Sequence, residues 1–207
     1  MAIIAKNKGG GEKTLAPVGN HIARCVQMIH IGTSEDEYNG KKYNKNTVRL
    51  SWELPDETHV FTEEKGEEPF LVSKEYTLSM SEKSNLRKDL ESWRGKGFTD
   101  KQAEEFDITV LIGIPCMLNV IYKTSKTGNE YVHVSGISPL PKRVECPEQI
   151  TPALEFNFED GFDNFEELPE WIQDKIKLSD EYKEKTAGNS VEASPGADEE
   201  GEDDVPF

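Results

Sequence analysis

Cysteine is scarce in this chain: Cys25, Cys116 and Cys146 stand far apart in 207 residues, with no CxxC pair among them. Neither they nor the four histidines (His21, His30, His59, His133) fall at metal-ligand spacing, which argues against a zinc site. Cys25 and Cys116 read instead as small buried hydrophobes. Long apolar runs are missing too; none approaches the roughly 18 residues that a membrane span needs. The opening, Met1 to Lys6, lacks the apolar stretch of a secretory signal, so a cytoplasmic location without membrane contact is expected. Catalytic signatures are equally thin. No Gly-Lys-Ser/Thr follows Gly9-Gly10-Gly11, no Gly-x-Ser-x-Gly occurs, and the carboxylates form no nuclease pattern. The expectation is a protein that is not an enzyme and holds no metal and no cofactor.

What the chain has in excess is acid, unevenly placed. Residues 1–150 carry 20 Lys and Arg against 22 Asp and Glu, whereas residues 151–207 carry 4 against 18. The net charge of −16 is therefore a statement about the last third, and a near-neutral body does not exclude a polyanionic partner. Hydrophobic content is 35% and mean hydropathy −0.68, which fits one modest core with disordered ends. From Ala197 onward there are six carboxylates and no base, and the chain stops on Val205-Pro206-Phe207. A solvating tail needs no terminal ring. A docking peptide does, because charge steers it while the ring and terminal carboxylate set its register. The tip Asp203-Asp204-Val205-Pro206-Phe207 resembles the ending by which bacterial and phage single-stranded-DNA-binding proteins recruit partners.

Along the chain, residues 1–19 read as a flexible, mildly basic arm with Lys6, Lys8 and Lys13. Ile22 to Ile31 is a β-compatible apolar run, bent midway. Residues 33–46, around Asn39-Gly40, read as a polar turn or loop. Thr47 to Leu54 alternates with period two, Val48, Leu50, Trp52 and Leu54 on one face and Arg49, Ser51 and Glu53 on the other, and ends at Pro55-Asp56. His59 to Thr62 adds a short strand before the acidic turn Glu63 to Glu68, and Phe70 to Leu78 is a third strand. Ser79-Met80-Ser81-Glu82 has capping-box form ahead of Leu86, Leu90 and Trp93 at helical spacing. A second box, Thr99 to Gln102, opens a short helix to Phe106. Strands follow over Cys116 to Ile121 and Tyr131 to Ile137, joined by the turn Ser125 to Asn129. Residues 142–168 look extended, with Phe156, Phe158, Phe162 and Phe165 laid on the domain surface. A helix from Pro169 carries Trp171, Ile172 and Ile176 as its apolar stripe. A Gly/Ser/Ala linker from Thr186 leads to the acidic tip.

Five strands with one helix between the third and fourth, and no βαβ alternation, give a mainly β class with minor α. That order fits a five-stranded oligonucleotide/oligosaccharide-binding (OB) Greek-key barrel. An SH3-like barrel is the alternative, although it has only a short turn at that position. The expected organisation is an N-terminal arm (1–19), the barrel (20–141), an extended segment and short helix packed on it (142–185), and a disordered acidic tail (186–207).

The block Tyr76-Thr77-Leu78-Ser79, Asn85 to Gly95, Gly113-Ile114-Pro115-Cys116 and Ser138-Pro139-Leu140-Pro141-Lys142 resembles a family of tailed-phage OB-type proteins, over roughly residues 20–185. The resemblance implies sequence-independent single-stranded DNA binding in phage replication or recombination. The tip would then recruit a polymerase, helicase, recombinase or nuclease; self-association is left open. A strand-binding face needs cations along the phosphates and rings under the bases. Candidates are Arg24 and Arg49, Lys74 and Tyr76 on the third strand, and Lys41, Lys42 and Tyr43 in the first loop. The last hairpin adds Lys123, Lys126, Tyr131 and His133. Trp52 is a further candidate, although it shares its face with Val48 and Leu50, so core competes with stacking there. Tyr76 is undecided in the same way. Two rivals remain at this level: an acidic DNA mimic that inhibits a host nuclease or defence protein, and a protein-interaction module.

Overall fold

The computed structural model describes residues 14–189. The chain is mainly β, a curled antiparallel sheet with a few short helices. The strands are β1 (Gly19–Tyr38), β2 (Lys41–Thr62), β3 (Gly66–Thr77), β4 (Pro115–Thr124) and β5 (Glu130–Ser138). Helices α1 (Asn85–Arg94) and α2 (Asp100–Glu104) follow β3 in the chain. The sheet order is β3-β2-β1-β4-β5. Curling brings the two edges, β3 and β5, close to one another with no ladder between them, which leaves a seam in a barrel-like wall.

The inward faces follow from period two. Val48, Leu50, Trp52 and Leu54 on β2 meet Ala23, Cys25 and Met28 on β1 and Cys116, Leu118 and Val120 on β4. Leu86, Leu90 and Trp93 of α1 close one end of this core. Burying each such aliphatic side chain contributes about 1.5–3 kcal/mol. The bend expected in β1 is a register shift between Cys25 and Gln27, with Val26 as the extra residue. The Thr99 capping box forms with both of its hydrogen bonds, but α2 ends at Glu104, short of Phe106. Ser84, not Ser79, caps α1, accepting from the Arg87 amide, and Gly95 closes it in the left-handed region.

Two readings of the first strands are corrected. Residues 33–46 are no loop: β1 and β2 run on as a ladder to Tyr38↔Lys41. Asn39 (φ 52°) and Gly40 (φ 76°) make the two-residue turn that matches the twist of a hairpin. Polarity concealed this, because an arm with solvent on both faces has no apolar side to alternate. Nor does Pro55 end β2. A register shift between Leu54 and Thr58 absorbs it, and the strand continues to Thr62.

Residues 142–189 form a strap across the outer face. β6 (Leu154–Phe156) pairs in parallel with Gln27–Ile29 of β1. A 3₁₀ turn at Phe165–Glu167, α3 (Glu170–Lys177) and α4 (Asp180–Asn189) follow. Phe156, Phe158, Phe165, Leu168, Ile172 and Ile176 enclose Ile29 and Ile31 in a second core. The phenylalanines thus lie on the barrel as expected. Thr186 to Asn189 are helical, so the linker does not begin at Thr186. No helix of the described residues is long and apolar enough to cross a membrane.

Candidate nucleic-acid interface

The outer face of β1 and β2 is held by the strap, and that decides three charged side chains. Glu53 is fully buried, and its carboxylate accepts from the backbone N–H of Ile150 (3.1 Å) and Thr151 (2.7 Å). Arg24 donates to the carbonyls of Gly113 (2.8 Å) and Pro147 (2.8 Å), tying the strap to the loop before β4. Arg49 pairs with Glu75 (3.2 Å) and lies 4.7 Å from the Trp171 ring of α3, while Lys175 also reaches Glu75 (2.7 Å). Burial raises the Glu75 carboxyl, but Lys175 and Arg49 outweigh it and hold the group below its ordinary range. Arg24 is therefore a strut between the strap and the loop before β4, with both of its terminal nitrogens donating to carbonyls. Arg49 keeps one side on a solvent groove.

Three further candidates turn inward. Trp52 is 0% exposed and packs at 6.0 Å from Trp93, so its ring is out of reach of any base. Tyr76 is buried as well; burial first and then Asp89 push its phenol far up, and its hydroxyl donates to Asp89 (2.8 Å). Lys74, on the same face of β3, pairs with Asp89 at 2.6 Å. Trp52 and Tyr76 are corrected to core residues, because an inward position on a curled strand delivers the side chain to the interior, and Lys74 to one half of a part-buried ion pair with Asp89.

The β4–β5 hairpin behaves as its alternation implies. Tyr131 is 43% exposed, Lys123 stands opposite it in register, and His133 faces Ile121. Burial, then Lys123 and Lys74, lower the His133 pKa, so at neutral pH it presents an uncharged ring. Lys123 and Lys126 are exposed and enter none of the ion pairs among the described residues. On the β1–β2 arm the charges are largely matched. Lys42 pairs with Glu35 (2.7 Å), Lys45 with Asp36 (3.7 Å), and the Tyr43 hydroxyl donates to Asp36 (3.2 Å). Lys41 makes no ion pair among the described residues.

A groove of about 490 Å³ runs along the seam between the β2–β3 hairpin and β5. Phe61, Phe70, His59 and Tyr131 supply its rings, Arg49 and Ser73 its polar floor, and Thr14 to Ala16 one rim. Phe61 is 46% exposed and meets Phe70 edge-on at 5.2 Å, while His59 stacks on Phe70 at 5.9 Å. Leu71 and Trp171 add exposed apolar surface beside it. Phe61, His59 and Trp171 were not anticipated. The first two follow from continuing β2 past Pro55. Trp171 was read as part of one apolar stripe with Ile172 and Ile176, but of the three only Ile172 and Ile176 are buried on α3.

A larger cavity of about 570 Å³ lies at the other end of the sheet, beneath β6 and α4. Its apolar floor (Met28, Val48, Phe106, Phe158) is rimmed by Glu104, Asp107, Glu155, Glu159 and Glu181, which repels phosphate. Among the described residues no cluster of three or more His, Cys, Asp or Glu can hold a metal ion. The docking tip, Asp203 to Phe207, lies outside the described residues. Neither a family model, nor a curated protein, nor a solved structure matches this chain.

Proposed function

We propose that the chain is a sequence-independent single-stranded-DNA-binding protein of OB type that recruits replication or recombination partners through its acidic C-terminal tip. The observation that carries this reading is the pair of half-exposed rings, Phe61 and Tyr131, on an open groove at the β3/β5 seam. Rings on a free strand surface suit unstacked bases, which contribute about 1–3 kcal/mol each when stacked. The strand order supports the OB reading, with β1 shared between β2 and β4 and with α1 lying between β3 and β4 in the chain. Lys123 and Lys126 supply the cations on the β5 side. The acidic tail, with six carboxylates and no base from Ala197 onward, competes for the same cations and is displaced when a strand binds.

The test is a titration of the full chain with a fluorescent single-stranded oligonucleotide over a range of salt, with duplex as control. Binding that weakens with salt and prefers the single strand supports the reading; no binding at low salt rejects it. One observation favours a second reading, an acidic module that binds protein. The turn beyond Phe61 carries Glu63, Glu64, Glu67 and Glu68 against Lys65 alone. That reading predicts no oligonucleotide binding at any salt.

A further inference from the structure

The cavity beneath β6 and α4, about 570 Å³, takes no part in the groove at the seam. It opens where the two cores meet. Met28 and Val48 belong to the main core, Phe156 and Phe158 to the second, and all four line it. Met80 and Phe106, half-buried, complete the apolar lining. The volume lies within the roughly 300–1,000 Å³ of pockets that hold organic ligands. Methionine at two places lets such a lining adapt to more than one shape.

The mouth carries Glu104, Asp107, Glu155, Glu159 and Glu181. None of the five enters an ion pair among the described residues. Three of them accept from neutral groups: Asp107 from the Thr109 amide (2.9 Å), Glu181 from the Thr33 amide (2.7 Å) and Glu155 from the Asn157 side chain (3.1 Å). Two cations touch the lining without pairing with these acids. Arg87 donates to the Met80 carbonyl (3.2 Å) and pairs with Glu91, and Lys185 donates to the Phe158 carbonyl. No Lys or Arg stands among the lining residues, so an apolar floor lies under uncompensated acid.

We infer that this cavity docks a basic segment of a protein partner, with apolar anchors between its lysines and arginines. Side chains such as Leu or Phe enter the floor, and the flanking cations meet the rim. Charge complementarity selects this occupant, because the five carboxylates repel phosphate and anionic lipid, and a neutral ligand leaves them unused. The acids stand on separate elements, Glu104 on α2, Glu155 on β6 and Glu181 on α4. One small ammonium meets one of them, whereas a chain with several cations meets most. The site does not rest on the strand-binding reading, since it lies at the other end of the sheet from the rings.

A random peptide library displayed on phage is selected against the immobilised full-length protein. Enriched peptides are then labelled with fluorescein and titrated against four full-length chains. These are the native protein, a rim variant (Glu104→Gln, Glu159→Gln), a filled variant (Ala103→Trp) and a charge control (Glu63→Gln, Glu64→Gln). Glu104 and Glu159 are exposed, so the rim variant carries the test even where Ala103→Trp disturbs α2. Glu63 and Glu64 are exposed too and line no part of the cavity. The enriched peptides should carry Lys or Arg beside Leu or Phe. The rim variant should bind them about 2- to 30-fold more weakly, with a smaller dependence on salt. The filled variant should lose them, and the control should keep the native affinity. Enrichment of peptides without bases, or of none, overturns the site. So does a rim variant that binds like the native chain, or a control that weakens as much as the rim variant. Oligonucleotide binding enters none of these titrations, so failure here leaves the strand-binding reading standing.

Discussion

Replacing Gly32 by alanine tests how the strap is seated on the barrel. A Cβ at Gly32 would lie 2.6 Å from Ser179 Cβ and 2.8 Å from Glu181 Oε2. Ser179 cannot swing aside. It is 1% exposed, its hydroxyl donates to the Ile176 carbonyl (2.6 Å), and the same oxygen accepts from the Tyr182 amide (3.2 Å). Gly40 provides an internal control, since it too has positive φ (76° against 94°) but nothing within 4 Å of its added Cβ. Both alanines carry a backbone penalty of about 1–2 kcal/mol, and only Gly32→Ala adds an overpacking cost of about 1–3 kcal/mol. At a urea dependence of about 2 kcal/mol per M, a 2 kcal/mol gap separates the two unfolding midpoints by about 1 M. Hydrogen exchange supplies the local readout. The Thr33 amide donates to Glu181 (2.7 Å), and it should lose protection in Gly32→Ala alone. Equal destabilisation by the two alanines, with Thr33 still protected, would refute the seating of α4 against β1.

Single substitutions Phe61→Ala and Tyr131→Ala should each weaken oligonucleotide affinity about 5- to 150-fold, corresponding to 1–3 kcal/mol per stacked base, and leave the urea midpoint nearly unmoved. Trp52→Ala should do the reverse, lowering stability by about 3–5 kcal/mol through the core. Cutting the chain after Gly196 should tighten oligonucleotide binding, most at low salt; unchanged affinity in fluorescence titration would dismiss tail competition. For Glu181, burial pushes the carboxyl up, and the Thr33 amide and hydroxyl more than offset that, leaving it below its ordinary value. A depressed carboxylate stabilises above its unfolded pKa and loses that contribution as pH falls through the folded one. The urea midpoints of the native chain and Glu181→Gln should therefore converge on acidification below the ordinary carboxylate range, and a constant gap would contradict this.

The strands that bury one face were legible, because Val48, Leu50, Trp52 and Leu54 announce their own side. What escaped lay where that contrast fails. The arm at 33–46 is wet on both faces, so only Asn39-Gly40 marked its turn. The continuation of β2 to Phe61 was hidden by Pro55, whose disruption a register shift absorbs. Site residues were harder, because a side chain's partners can be remote in sequence. Arg24 and Arg49 looked like free outward cations, yet their partners sit at Pro147 and on α3. Tyr131 kept its expected side, exposed on the β4–β5 hairpin, with Val134 buried on the opposite face.

Strand β1 is a party wall. Cys25 and Met28 furnish the room on one side, Ile29 and Ile31 the room on the other. The prolines at 139 and 141 look like a natural place to trim the molecule to a minimal barrel, and trimming there would strip the second room of its furniture. Ile29, Ile31 and the carboxylate of Glu53 would then meet water on a bare sheet, the kind of apolar patch that drives self-association. The shortest fragment that stays monodisperse should run through α4, and one ending at residue 141 should precipitate.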